Sequence, residues 1–164
     1  MGLDALVYCN CVETGRLTKP HPFPDKLFIN EEGCPSIPED PDDANDSTKF
    51  LAHLNWILSS PCEHICLRAV HHRLSKLALV RAIRAELSQM PVLFPTILEK
   101  VIYSGSHCGD YLTLEDVLRV KTELVPLSQF QCRDPEMEPF IKDFSIQMAE
   151  LVERALALRK PIVF

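Results

Sequence analysis

No stretch of this chain stays apolar for the roughly 20 residues that a membrane-crossing helix needs. It contains no Gly-rich phosphate loop, Gly-x-Ser-x-Gly elbow, His-Glu-x-x-His helix, dinucleotide fingerprint or internal repeat. These absences argue against a helical membrane span and against the enzyme mechanisms that announce themselves in sequence. Positive charge is also scarce: 17 Lys and Arg face 23 Asp and Glu, for a formal net charge of −6, and the pI is near 5.5. Phosphate binding draws on a clustered Lys/Arg face, so nucleic acid is not the expected partner. The one basic concentration, "LRAVHHRLSKLALVRAIR", spaces Arg68, Arg73, Lys76, Arg81 and Arg84 between apolar residues and reads as a solvated helix face. The opening "MGLDALVYCN" has no charged start, long apolar centre or small-residue cleavage site, and Leu6 stands where a myristoylation signal wants Ser or Thr. A cytoplasmic protein without membrane attachment is therefore expected.

What is present fits an ordinary soluble domain, 46% hydrophobic and 24% charged. A chain of 164 residues is long enough to bury roughly two thirds of its unfolded surface without help from disulfides. A single globular domain spanning residues 1–164 is expected. The seven cysteines are odd in number in what reads as a reducing compartment, so free thiols are the default and metal ligation comes second.

Strand-favouring "LDALVYC" predicts a first strand over residues 3–9, and "KLFIN" a short second one. The prolines and acids of "EEGCPSIPEDPDD" sustain neither regular structure, so residues 31–46 read as an acidic surface loop. From a cap at Asp46 or Ser47, "TKFLAHLNWILSS" places Phe50, Leu51, Leu54, Ile57 and Leu58 on one helical face. A second helix is predicted over 68–89 and a short third from Pro95. A fourth starts at a Thr113/Asp116 capping box and packs Leu114, Val117, Leu118 and Leu124 inward. The last helix has Asp134 as cap and Pro135 at its first position. Met137, Phe140, Ile141, Phe144, Met148, Leu151, Val152 and Ala155 form its apolar stripe. Pro161 ends it, and "IVF" is expected to pair with the first strand. The predicted fold is mainly α, of the α+β class, with about five helices and a small sheet made by the N-terminal region and the C-terminal residues.

Three constellations carry possible chemistry. In "PCEHICLRAVHH", Cys62, His64, Cys66, His71 and His72 offer soft donors that suit zinc, although Cys62 and Cys66 share a side only if the segment is helical. Cys9 and Cys11, two apart on a strand, point the same way, either into the core or jointly at a metal. A site joining them to Cys62 and Cys66 is open, though nothing in the sequence brings the segments together. In "YSGSHCGDYLTLED", Cys108 is a candidate nucleophile with His107 and Asp110 beside it, but adjacent side chains diverge and a base would have to come from His71 or His72. Alignment of Ser104–Glu115 with a calcium loop puts serines where hard-cation ligands belong, so the stretch reads first as a shaped connector between helices.

The opening "MGLD", "HHRLSKLALVRAIRAEL", "EKVIYSGSHCGDYLTLED" and the ending "KPIVF" together resemble a group of small bacterial cytosolic proteins of unknown function. The likeness covers most of the chain outside about residues 31–50. It implies a compact bacterial domain and transfers no activity, ligand or site residue. The reading that results is a small cytosolic, non-enzymatic binding or regulatory protein whose acidic loop meets a protein partner, as an immunity-type inhibitor would. The alternative is a zinc- or thiol-dependent protein, conceivably an enzyme, centred on Cys62, Cys66, His71, His72 and the 107–110 loop.

Overall fold

The structure is a computed structural model that describes residues 2–39, 42–43, 45–104, 107 and 109–164. The fold is mixed α+β with 48% of residues helical, about five helices, a four-stranded sheet and a two-stranded one. Among the described residues no helix is long and apolar enough to cross a membrane. The chain forms two compact units, one from Val70–Phe164 with the N-terminal residues up to Val7, the other Tyr8–Ala69.

The first unit is built on a sheet ordered β4-β1-β6-β5, with β1 at Gly2–Tyr8, β4 at Arg68–Lys76, β5 at Tyr111–Leu112 and β6 at Ile162–Val163. The expected pairing of the chain's last residues with its first strand is present: β6 runs antiparallel to β1, Val163 opposite Leu6, and antiparallel to β5, Ile162 opposite Leu112. Gly2 is needed where it stands, because a Cβ there would come within 2.6 Å of the Ser75 carbonyl oxygen. Helices α2 (Leu77–Leu87), α3 (Leu114–Leu127) and α4 (Glu138–Leu158) and a wide π-type turn at Ile97–Val101 complete the unit. Leu3, Ala5 and Val7 of β1 pack with Ile83, Phe94, Ile97, Val117, Phe144, Met148 and Leu151 into one aliphatic core.

Sequence periodicity places α4 well. Asp134 caps the short turn Pro135–Met137 that leads into it by accepting from the Glu136 N–H at 3.0 Å, and Ile141, Phe144, Met148, Leu151, Val152 and Ala155 are buried while Phe140 is not. The capping box of α3 forms in full. Its inward face differs from expectation: Val120 and Leu127 are buried and Leu118 is exposed. The larger correction concerns 68–89, where a strand, β4, occupies the first nine residues and the helix begins at Leu77. Cys66 and Leu67 take left-handed backbone angles (φ 50° and 62°), which cost about 1–2 kcal/mol apiece for non-glycine residues and prevent a helix from entering Arg68. The chain leaves them extended and joins the sheet beside β1.

The second unit contains a hairpin of β2 (Phe28–Ile29) and β3 (Pro35–Ser36), closed by Asn30 and Cys34 with Gly33 at φ 74°, and helix α1 (Asp46–Leu58). Thus part of the stretch 31–46 is ordered as a strand. Neither Asp46 nor Ser47 caps α1; Asn45 flanks it without a side-chain cap bond. The buried residues of α1 are His53 and Trp56. Phe50, Leu51, Leu54 and Leu58 do share a face, but an exposed one.

Candidate metal centre

At the end of β1 the chain turns sharply through residues 10–16, held by Thr14 N–H to Asn10 O (3.0 Å) and Arg16 N–H to Cys11 O (2.8 Å). Cys9 is fixed by its N–H to the Leu67 carbonyl at 2.7 Å. After α1, Ser60 adopts φ 50° and Pro61 prevents further helix. The Pro61 carbonyl accepts from Thr18 N–H at 2.8 Å, which ties the two segments together. Cys62 and His64 then follow in a bend, with His64 itself in extended angles (φ −96°, ψ 134°).

These two turns bring Cys9, Cys11, Cys62 and His64 into one group whose ligand atoms all lie within 4.8 Å of one another. Cys9 Sγ is 3.8 Å from Cys62 Sγ, Cys11 Sγ is 3.4 Å from His64 Nδ1, and Cys62 Sγ is 3.7 Å from the same nitrogen. A tetrahedral zinc shell with bonds of about 2.3 Å to sulfur and about 2.0–2.1 Å to nitrogen has S···S edges of about 3.8 Å and S···N edges of about 3.6 Å. The observed separations match those edges, and they are far outside the roughly 2.05 Å of a disulfide. The His64 backbone N–H points at Cys62 Sγ at 3.4 Å, and a Cys11 backbone N–H is directed toward Cys9. Donors of this kind orient and stabilise thiolate ligands.

Cys9, Cys11 and Cys62 are buried, together with Trp56 and Leu67 and flanked by Tyr8, Val12, Leu17, Leu27, Ile57 and Ala69. Burial pushes the Cys9 thiol up to about 12, only partly offset by the Cys11 N–H. It raises Cys11 as well. A cation beside them would favour the thiolate forms of Cys9 and Cys11, and this buried group can hold a metal ion.

Of the donors singled out in 62–72, Cys62 and His64 belong to the cluster, and Cys66, His71 and His72 do not. Cys66 sits at the left-handed turn, its N–H donating to Ser60 Oγ at 3.2 Å. His71 and His72 lie on β4, 3.9 Å from Asp4 Oδ1 and 2.8 Å from Glu150 Oε2 respectively. The helical register that would have faced Cys66 toward Cys62 is absent, because the segment is a tight turn followed by a strand. The partners of Cys62 are instead the two cysteines of "YCNC". The signal for them is a repeated spacing: Cys9-x-Cys11 and Cys62-x-His64 each offer two donors two residues apart, and both pairs fall at a bend or turn just beyond regular structure, the first strand having already ended at Tyr8.

In the connector 103–116, Cys108 lies outside the described residues. The His107 ring is 1% exposed and packs between Tyr103 and Phe164, with centroids at 4.5 and 5.0 Å. Its Nδ1 approaches Asp110 Oδ2 to 3.2 Å, without forming a hydrogen bond, and neither ring nitrogen has a hydrogen-bond partner among the described residues. Asp110 accepts from the Tyr103 hydroxyl, and its carbonyl accepts from the Phe164 N–H at 2.9 Å. Tyr111–Leu112 then becomes β5, so a strand interrupts the alignment with a calcium loop. Comparison with family models, with curated proteins and with solved structures finds no match to this chain.

Proposed function

We propose that Cys9, Cys11, Cys62 and His64 hold one structural zinc ion that organises residues 8–69, and that the protein is a zinc-stabilised, non-enzymatic binding or regulatory protein. The observation that carries this reading is the gathering of three sulfurs and one imidazole nitrogen within 4.8 Å of one another, with the Cys9–Cys62, Cys11–His64 and Cys62–His64 separations at the edge lengths of a zinc tetrahedron. Thiolates with imidazole select zinc over hard cations. Four protein ligands close the shell and leave no position for substrate or an activated water, the pattern of structural rather than catalytic zinc. The metal's charge also answers the raised thiol pKa values, since ligation replaces a buried S–H with a compensated thiolate. A reducing cytoplasm, expected from the cysteine usage, would keep the ligands available.

Elemental analysis of protein purified without chelators or an affinity metal tests the site. About one zinc per chain is expected, lost in Cys9→Ser and Cys62→Ser and retained in Cys66→Ser and His72→Gln. Metal-free, folded protein from zinc-replete cells would overturn the reading, as would zinc that survives Cys62→Ser.

A further inference from the structure

Helix α1 is turned against the usual logic of an amphipathic helix. Phe50, Leu54 and Leu58 recur every four residues and Leu51 lies beside them, so they form one stripe about 12 Å long. Their exposures run from 36% at Leu54 to 68% at Leu58. Single exposed apolar residues are ordinary, but a contiguous stripe marks a surface that something covers. Beside it, a cavity of about 340 Å³ is floored by Phe28, Ile37, Pro38 and Phe50 and edged by Glu39 and Asp46.

The charge around this surface is mainly negative: Glu39 and Asp46 line the cavity, and the basic Lys49 of α1 is paired with Asp43. Residues 31–46 contain Glu31, Glu32, Glu39, Asp40, Asp42, Asp43 and Asp46 and no Lys or Arg. Between residues 8 and 69 ten acidic residues face five basic ones, a net −5 of the whole chain's −6. An apolar floor with an acidic frame complements a segment that is apolar on one side and basic on the other. The same frame disfavours the other occupants. A second copy would bring two acidic frames together, and an anionic lipid surface would be repelled.

We infer that the α1 stripe and its adjoining cavity are the docking surface for a basic amphipathic helix of a partner protein. The inference rests on the binding-protein reading above and names the partner's chemistry. Phe50 and Leu54 act as the anchor surface, and the acidic frame steers approach and sets register.

The test uses the full, zinc-loaded chain and a fluorescent peptide of about 18 residues built from Leu and Lys in amphipathic helical register, a length sufficient to cover the stripe. A Leu/Glu peptide of the same pattern is the comparison, and binding is read by anisotropy. The Leu/Lys peptide is expected to bind at one per chain and to weaken as salt rises, while the Leu/Glu peptide does not bind. Phe50→Asp and Leu54→Asp should each weaken binding by about tenfold or more. Val92→Asp, at a residue 89% exposed in the other unit, should leave it unchanged. All three variants add one negative charge, so a purely electrostatic association with an acidic protein would strengthen in each, which would overturn the proposal. Equal binding of both peptides would overturn it too, as would sedimentation showing that the wild type pairs with itself and Phe50→Asp does not, or flotation with anionic vesicles. Zinc content and thermal unfolding measured on the same samples separate the two ideas. Failure to bind with zinc in place rejects the docking surface, whereas absent zinc rejects the metal centre.

Discussion

Residues 70–164 bury Phe94, Ile97, Phe144, Met148, Leu151 and Ile162 almost completely, an aliphatic and aromatic core fed by three helices and a sheet. Between residues 8 and 69 the buried apolar cluster is Cys9, Cys11, Trp56, Cys62 and Leu67, so three of its five members are thiols. The first unit is stabilised as most domains are, by area removed from water. The second buries a smaller cluster and turns the apolar stripe of α1 outward. Small scaffolds in this position use a metal or a disulfide as a staple. The difference teaches where to look for function: Phe50, Leu51 and Leu58 stand outside the unit's own core, and that is the surface on which the docking proposal rests.

The largest expected effect comes from removing the metal. Zinc binding by folding-coupled Cys/His sites is worth on the order of 10 kcal/mol. Chelation, or Cys62→Ser, should therefore unfold residues 8–69 outright while hydrogen exchange in α4 stays slow. If the α4 amides lose protection together with those of α1, the two units are one cooperative structure and the comparison breaks. The opposite perturbation is Phe144→Ala. It removes a side chain that is 1% exposed and should cost about 3–5 kcal/mol. Denaturant unfolding followed on α4 should show that loss, and bound zinc should remain at the wild-type level.

A third test uses pH and falls on the second unit alone. The Phe23 N–H donates to His21 Nδ1 at 3.0 Å, so the proton of neutral His21 is on Nε2, from which it donates to His53 Nδ1 at 2.9 Å. Both rings pack on Trp56. Burial lowers the pKa of each, and His21 lowers His53 further. The unfolded chain, with histidines near 6.5, therefore binds protons before the folded one does. The stability contributed by the pair is present above that value and declines as pH falls below it toward the folded values. Trp56 fluorescence during denaturant unfolding, at pH 7.5 and 6.0, should show this loss, and His53→Gln should reduce it. An unchanged pH dependence in the variant would remove the histidine pair from the account of this unit.

Local signals were legible in the sequence, and long-range ones were not. The capping box at Thr113, the Asp134-Pro135 start and the stripe from Ile141 to Ala155 are written within a few residues of the elements they define, and the structure has them. The strand at 68–76 was read as helix because its conformation is set by β1 and by left-handed angles at Cys66 and Leu67, residues with no compositional mark of such angles. Periodicity grouped Phe50, Leu51, Leu54 and Leu58 of α1 on one face but did not tell which way that face points, and it included Ile57, which packs inward against the cysteine cluster. The candidate metal site was half legible for the same reason. "YCNC" and "PCEH" each stand out as donor pairs, but their meeting across 53 residues depends on the turns at 10–16 and 59–62. Nearness along the chain had instead grouped Cys62 with Cys66, His71 and His72.

The smallest expected effect sharpens the comparison from the side of the conventional unit. Thr113 Oγ1 accepts from the Asp116 N–H at 3.2 Å and donates to Asp116 Oδ2 at 2.9 Å, while Lys100 Nζ lies 2.8 Å from both oxygens of that carboxylate. Burial by itself would raise the Asp116 pKa, but Lys100 and Thr113 outweigh it and hold the group below the ordinary carboxylate range. Its contribution is therefore present above that range and is lost as pH falls through the lowered folded value. Thr113→Ala removes the cap and one of the bonds that favour the ionised form, at a cost of about 1 kcal/mol near neutral pH. Because the lost bond favours the carboxylate, the penalty should shrink as pH falls toward the lowered folded value of Asp116, and Thr113→Ser should restore most of it. Denaturant unfolding at pH 7 and pH 3 reads both effects. Bound zinc measured at pH 7 should be unchanged, since the cap belongs to one compact unit and the four candidate ligands to the other. A Thr113→Ala variant that sheds zinc would tie the two units together energetically and end the claim that each is held by its own means.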